Sequence, residues 1–240
     1  IFRQQDANHC PQISCKPSSA APLALPTDWQ AVRIYATRIK DYPADQIFPR
    51  PVKGMALDHF GTCPPTESTA AYDLHGPALP NGPLIVSVPH AGRDYSPELL
   101  ALARVRPEVL RRLEDRWADM LAGPLVARGY SVLVARAPRA MIDLNRHERE
   151  LDPVMVTGLP RDQPLQSSAK LRGGLGLIPR RLPGALELWQ RPIPWEEARR
   201  RIETVHRPYH ARLAQMMTAA RERHGHAILI DLHSMPPLPP

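Results

Sequence analysis

His90 and His233 each stand at the carboxyl end of a short apolar run, within Pro89-His90-Ala91-Gly92 and Asp231-Leu232-His233-Ser234. Parallel strands end this way, and open α/β sheets bind ligands at that edge. A histidine there can ligate a metal, act as a base or cap the strand. Two of them on separate strands point to a shared site. A hydrolytic zinc site takes about three protein ligands and leaves one position for water. Glu114, Asp115 and Asp119 are the candidates for the third. Asp115 and Asp119 are four apart and share a helix face, which could equally be a solvated face. If a new helix starts near Arg116, Asp115 becomes its N-cap and can reach the strand-end site. Asp231 lies two before His233, on the same side of a strand, and could orient it.

Asp143-Leu144-Asn145-Arg146 follows another apolar run. Arg139 and Arg146 carry planar forks suited to a carboxylate, and Asp143 could fix one of them. The same polar residues could equally form a turn. His206 and His210 are spaced i, i+4 in His206-Arg-Pro-Tyr-His210. That is metal-ligand spacing without the glutamate of a His-Glu-x-x-His motif, so a structural or supporting role is expected.

The elements that must position these residues are partly readable. Leu84–Val88, the run 130–135 and the run 227–231 read as buried parallel strands. Apolar spacing over 98–127 is helical, broken at Pro107. A second helix is expected over 194–223, kinked at Pro208. Residues 147–194, rich in Pro, Gly and Arg, read as a long functional or mobile loop. Before residue 55 the chain is Pro-rich with little periodicity, and its nearest helical candidate is 29–38.

With 240 residues, 43% hydrophobic and 23% charged, there is room for one α/β domain plus an appendage. The 31 Lys+Arg against 24 Asp+Glu leave a formal charge of +7, which admits nucleic acid, anionic lipid or a small anionic substrate. Nucleic acid is not expected, because interleaved aromatics, zinc-finger spacing and a helix-turn-helix signature are missing. No run approaches about 18 uncharged apolar residues, so no membrane span is expected. Gly173-Gly174-Leu175-Gly176 follows no strand and does not suggest a dinucleotide site. Three cysteines without a Cys-x-x-Cys pair make a disulfide framework unlikely. Without a signal-like start, the cytoplasm is the expected location.

Ser87-Val88-Pro89-His90-Ala91-Gly92, Asp143-Leu144-Asn145-Arg146, His206-Arg-Pro-Tyr-His210 and Asp231-Leu232-His233-Ser234-Met235 resemble, in this order, motifs of the N-formylglutamate amidohydrolase family. Glu114-Asp115 with Asp119 resembles the acidic pair on that family's first helix, and the stretch 174–179 resembles its glycine loop. The resemblance covers roughly residues 80–240. It implies an α/β fold with a mostly parallel (mixed) sheet flanked by helices, phosphorylase/hydrolase-like. It also implies one zinc and cleavage of N-formyl-L-glutamate to glutamate and formate in histidine breakdown.

On the same resemblance zinc would sit on His90, His233 and, as best third ligand, Asp115. Arg139 and Arg146 would hold the carboxylates of a small anionic N-acyl amino acid, with Asn145 supporting and His210 hydrogen-bonding nearby. The general base would be a glutamate beyond Pro240, with Glu114 and Asp119 as weaker candidates. The expected organisation is an extension over 1–54 and a C-terminally incomplete domain over 55–240. Alternatives are an amidohydrolase for another N-acyl amino acid or peptide, and a metal-binding remnant without turnover.

Overall fold

The computed structural model describes residues 32–36, 64–182 and 186–234, the first of these as backbone only. The strands are β1 (Val32–Ala36), β2 (Glu67–Ser68), β3 (Tyr72–His75), β4 (Leu84–Val88), β5 (Ser131–Ala135), β6 (Val156–Thr157), β7 (Arg181–Leu182), β8 (Leu186–Glu187), β9 (Ile193–Pro194) and β10 (Ile228–Ser234). Six of them form the central sheet, ordered β1-β10-β4-β5-β3-β2. Its centre is parallel, β10 with β4 and β4 with β5. The other pairings are antiparallel. The sheet is therefore mixed rather than mostly parallel: the three parallel strands carry antiparallel neighbours on both flanks. β1 forms a strand within the stretch whose spacing suggested a helix over 29–38.

Every residue of β4 and β5 is buried, because helices cover both faces of this part of the sheet. The helices are α1 (Pro97–Leu102), α2 (Pro107–Leu110), α3 (Ala118–Ala127), α4 (Ala169–Arg172), α5 (Trp195–Arg201) and α6 (Arg207–His224). Side chains of a strand alternate between faces. Leu84, Val86 and Val88 pack with Val132, Val134, Ile228 and Ile230 beneath Ala118 and Ala122 of α3. Ile85, Leu133 and Ala135 face the opposite core, which contains Tyr209, Met216 and Ala220 of α6. Burying each such aliphatic side chain is worth about 1.5–3 kcal/mol.

Three local features differ from the expectation and matter for the site. Pro107 opens α2, as a proline suits the first helical turn, but a second break follows the 3₁₀ turn Arg111–Leu113. Residues 114–117 are thus a turn, and of the two placements the sequence allowed Asp115 takes the one before a new helix, which starts at Ala118, rather than a face shared with Asp119. The stretch 147–194 is not a loose loop. It contains α4 and the pairs β6/β9 and β7/β8, and Leu151, Met155, Leu177, Leu188 and Trp189 are buried. The helix through Pro208 is relieved by a π-turn over Ile202–His206, where the Arg207 N–H donates to the Ile202 carbonyl. Proline at 208 has no N–H to continue the regular ladder.

Candidate metal centre

His90 lies in the turn that ends β4, two residues past Val88. That turn is pressed against the segment after β5. A Cβ on Gly92 would lie 2.1 Å from the Ala137 carbonyl oxygen, so only glycine allows the approach. His233 lies within β10 and not beyond it. The parallel register with β4 nevertheless stops at Asp231 opposite Ser87, so His233 projects past the last β4 partner. Asp115 enters from the turn before α3, and its N–H donates to the His90 carbonyl at 2.9 Å. Two residues on, Trp117 takes a left-handed conformation, φ 70°, with the Arg93 guanidinium 5.5 Å from its ring centre.

The ligand atoms of His90, Asp115 and His233 lie within 4.8 Å of one another, and together they could hold a metal ion. The rings of His90 and His233 are 4.8 Å apart between centres. Asp115 Oδ2 is 2.7 Å from His233 Nδ1 and 3.4 Å from His90 Nδ1. The far nitrogens are engaged elsewhere. His90 Nε2–H donates to Asp143 Oδ1 at 2.8 Å, and a carboxylate can only accept, so the proton sits on Nε2. His90 Nδ1 is left buried with no hydrogen-bond partner. An orphaned imidazole lone pair facing a carboxylate oxygen suits a cation.

His233 Nε2 meets Asp231 Oδ2 at 2.9 Å, in the same pattern. Burial alone would lower the His233 pKa, but hydrogen bonds to Asp115 and Asp231 push it up to about 9. Burial raises the Asp143 carboxyl, yet the His90 hydrogen bond and the Arg139 charge hold it well below the ordinary carboxylate range. Asp143 is completely buried.

The remaining expected residues separate into two groups. Asn145 touches the trio directly, and the two arginines reach it through Asp143, on the Nε2 side of His90. Asn145 Nδ2 donates to Asp231 Oδ2 at 2.9 Å and lies 2.7 Å from His233 Nε2. Arg139 Nε donates to Asp143 Oδ2 at 3.0 Å. Arg146 is held more loosely, 3.7 Å from Asp143 and 4.0 Å from Glu150. Its Nε is buried without a hydrogen-bond partner. Glu114, Asp119 and His210 do not join the trio. Glu114 accepts from the Tyr95 hydroxyl at 2.8 Å and from Arg116 at 3.0 Å. Asp119 pairs with Arg93 at 2.9 Å. His210 Nε2–H donates to the Leu144 carbonyl at 2.9 Å.

Sequence reasoning missed Ser87 and Tyr209. Ser87 Oγ donates to Asp231 Oδ1 at 2.8 Å and lies 3.0 Å from the Tyr209 hydroxyl. Tyr209 in turn donates to the Leu133 carbonyl at 3.3 Å. The available signal for Ser87 was its place as the one polar residue in Leu84–Val88. Tyr209 stands inside the motif His206-Arg-Pro-Tyr-His210, but no role was read for it there.

A model of the family described as N-formylglutamate amidohydrolase matches residues 82–240. The chain is similar to the N-formylglutamate deformylase of Pseudomonas putida, with 32% identity over 162 residues, 64% of this chain and 52% of that protein. It is 30% identical over 162 residues to the N-formylglutamate deformylase of Pseudomonas aeruginosa, with the same shares of 64% and 52%. Among solved structures, the crystal structure of N-formylglutamate amidohydrolase from Ralstonia eutropha JMP134 matches with a TM-score of 0.62 and 36% identity, covering 70% of this chain and 59% of that one. The chain spans about half the length of the curated relatives it matches. With two thirds of its residues under the family model and the strand-end motifs inside that match, the chain belongs to the N-formylglutamate amidohydrolase family.

Proposed function

We propose that this chain carries the zinc-holding and carboxylate-binding part of an enzyme that hydrolyses the formyl amide of N-formyl-L-glutamate to glutamate and formate, a step of histidine breakdown in the cytoplasm. The observation that supports this best is the orphaned Nδ1 of His90, facing Asp115 and His233. Imidazole and carboxylate donors favour zinc over harder cations. When bound, zinc supplies Lewis acidity to the formyl carbonyl and to an attacking water. His90, Asp115 and His233 would hold it, with Asp143 fixing the His90 ring through its Nε2 proton and Asp231 standing behind the His233 ring.

Arg146 binds a substrate carboxylate, because its guanidinium makes only long ionic contacts and its planar fork suits a carboxylate. Arg139 supports it by holding Asp143, and the exposed Asn145 amide adds a donor beside the reacting group. Glu114 and Asp119 are poorly placed as general bases. One is tied to Tyr95 and Arg116, the other to Arg93, and each would have to leave its partners to take a proton. A deformylase also leaves room for one small acyl group, so formyl and acetyl substrates should differ.

The test is formate release from N-formyl-L-glutamate by zinc-loaded protein, run beside N-acetyl-L-glutamate and N-formyl-L-leucine. Turnover restricted to the formylated dicarboxylate supports the reading. Faster cleavage of either control would replace the substrate. Zinc retained at full stoichiometry in both His90→Ala and His233→Ala would remove the metal assignment.

A further inference from the structure

The helix that crosses behind the site places two histidines that the proposed chemistry does not use. His206 ends the π-turn and His210 lies one turn further along α6. Their rings are 4.4 Å apart. His206 Nε2 lies 2.9 Å from the Arg146 carbonyl, and His210 Nε2 lies 2.9 Å from the Leu144 carbonyl. A carbonyl only accepts, so both rings carry the proton on Nε2. The two acceptors flank a single residue, Asn145. From its other side Asn145 is held by its own N–H, which donates to Asp143 Oδ1 at 2.9 Å.

We infer that His206 and His210 are positioning residues: a paired clamp on the carbonyls of Arg146 and Leu144 that aims the Asn145 amide and the Arg146 guanidinium at the substrate. Three features of the geometry favour aiming over mere support. The clamped segment is only three residues long, and its middle residue, Asn145, is exposed and contacts His233. Arg146 has no short side-chain bond of its own, so its backbone must supply its aim. The π-turn, a form that recurs at functional sites, leads directly into the clamp. Both rings are disfavoured as cations by burial, so the clamp adds no third charge beside Arg146.

The inference rests on Arg146 as the carboxylate-binding residue, and the test reads the clamp independently of the substrate. Glutamine places an amide N–H near the position of histidine Nε2, and asparagine places it near Nδ1. His210→Gln and His206→Gln should therefore preserve the clamp, and His210→Asn and His206→Asn should break it. Hydrogen exchange over residues 143–147 should accelerate about tenfold in the Asn variants, the loss of one net hydrogen bond. In the same variants KM for N-formyl-L-glutamate should rise about tenfold with kcat nearly unchanged. Zinc stoichiometry and exchange in β5 should stay at wild-type values, and the Gln variants should restore both affected quantities.

Unchanged exchange over 143–147 in the Asn variants would overturn the clamp. So would a fall in kcat with no change in KM, which would mark general loosening instead of aiming. Faster exchange in a protein whose wild type does not bind N-formyl-L-glutamate would support the clamp and overturn the substrate reading.

Discussion

Both histidines of the candidate centre turn Nδ1 inward and spend Nε2 on a carboxylate, Asp143 for His90 and Asp231 for His233. A carboxylate behind an imidazole fixes its tautomer and raises its basicity as a ligand, and losing one typically costs about 10–100-fold in metal affinity. Asp143→Ala should therefore weaken zinc about 10–100-fold without touching the metal, as read by competition with a chromophoric chelator. Asp115→Asn should weaken it far more, and Asp119→Asn should leave it unchanged, because Asp119 is paired with Arg93 outside the trio. The two arginines should also differ. Arg146→Lys loses the fork and should raise KM about tenfold, near 1.4 kcal/mol. Arg139→Lys should act on zinc affinity through Asp143, measured in the same chelator titration. His90 and His233 were legible because strand ends are where apolar runs stop. Asp115 was legible only as one of three, since helical spacing runs through 114–117 without a proline or glycine to mark the turn. Whether Arg139 or Arg146 was the freer could not be read, because that depends on a buried carboxylate four residues from one and three from the other.

At the scale of elements, the parallel centre was readable and its antiparallel flanks were not. β4 and β5 are apolar runs whose only polar residues are Ser87 and Ser131, and both strands are buried throughout. β2 and β3 have two and four residues, too few for a period of two to stand out. The packed character of 147–194 was hidden for a related reason: its buried residues are spread singly among prolines and arginines. A single helix was expected over 194–223 with a kink at Pro208, and the structure divides it into α5 and α6 by a π-turn over Ile202–His206. Just upstream, Arg201 is buried, donates to the Met141 carbonyl at 2.9 Å and is paired with Glu197 at 2.7 Å. This ties α5 to the segment that leads into Asp143. Glu197→Gln should cost about 2 kcal/mol, less than the roughly 3–5 of a fully buried pair, because Glu197 is partly exposed. Burial raises the Glu197 carboxyl, but hydrogen bonds from Arg200 and Arg201 bring it below its usual 4.5. A lowered carboxyl stabilises the fold fully above its unfolded value and ceases to do so as pH falls through the folded one. The gap between wild type and Glu197→Gln in urea melts should therefore be full at neutral pH and shrink as the pH falls below about 4.5. Gly92→Ala should be the harsher change at this scale. The added methyl meets the Ala137 carbonyl and displaces the turn that carries His90, so zinc affinity and stability should fall together in the same melts.

Across the whole molecule, the candidate ligands draw on three separated parts of the chain, with His90 and His233 143 positions apart. His90 belongs to the turn after β4, Asp115 to the turn before α3, and His233 to β10. β4 and β10 pair in the sheet and α3 packs on one of its faces, so one ion would tie two central strands to the helix that covers them. An unfolded chain cannot bring such distant groups together, and a metal that binds only the folded state stabilises it by mass action. With free zinc at about a hundred times its dissociation constant the gain is about 2.7 kcal/mol. For a chain of this size each kcal/mol moves the melting temperature by about 2–4 °C. Zinc-loaded protein should therefore melt about 5–10 °C above protein treated with chelator. The difference should vanish in His233→Ala and persist in Asp119→Asn, with calorimetry at matched zinc concentrations as the measurement. A zinc-dependent shift of full size in His233→Ala would place the ion elsewhere on the molecule. The prediction needs no substrate, so it tests the union of β4, the α3 turn and β10 at a single centre whatever amide the protein cleaves.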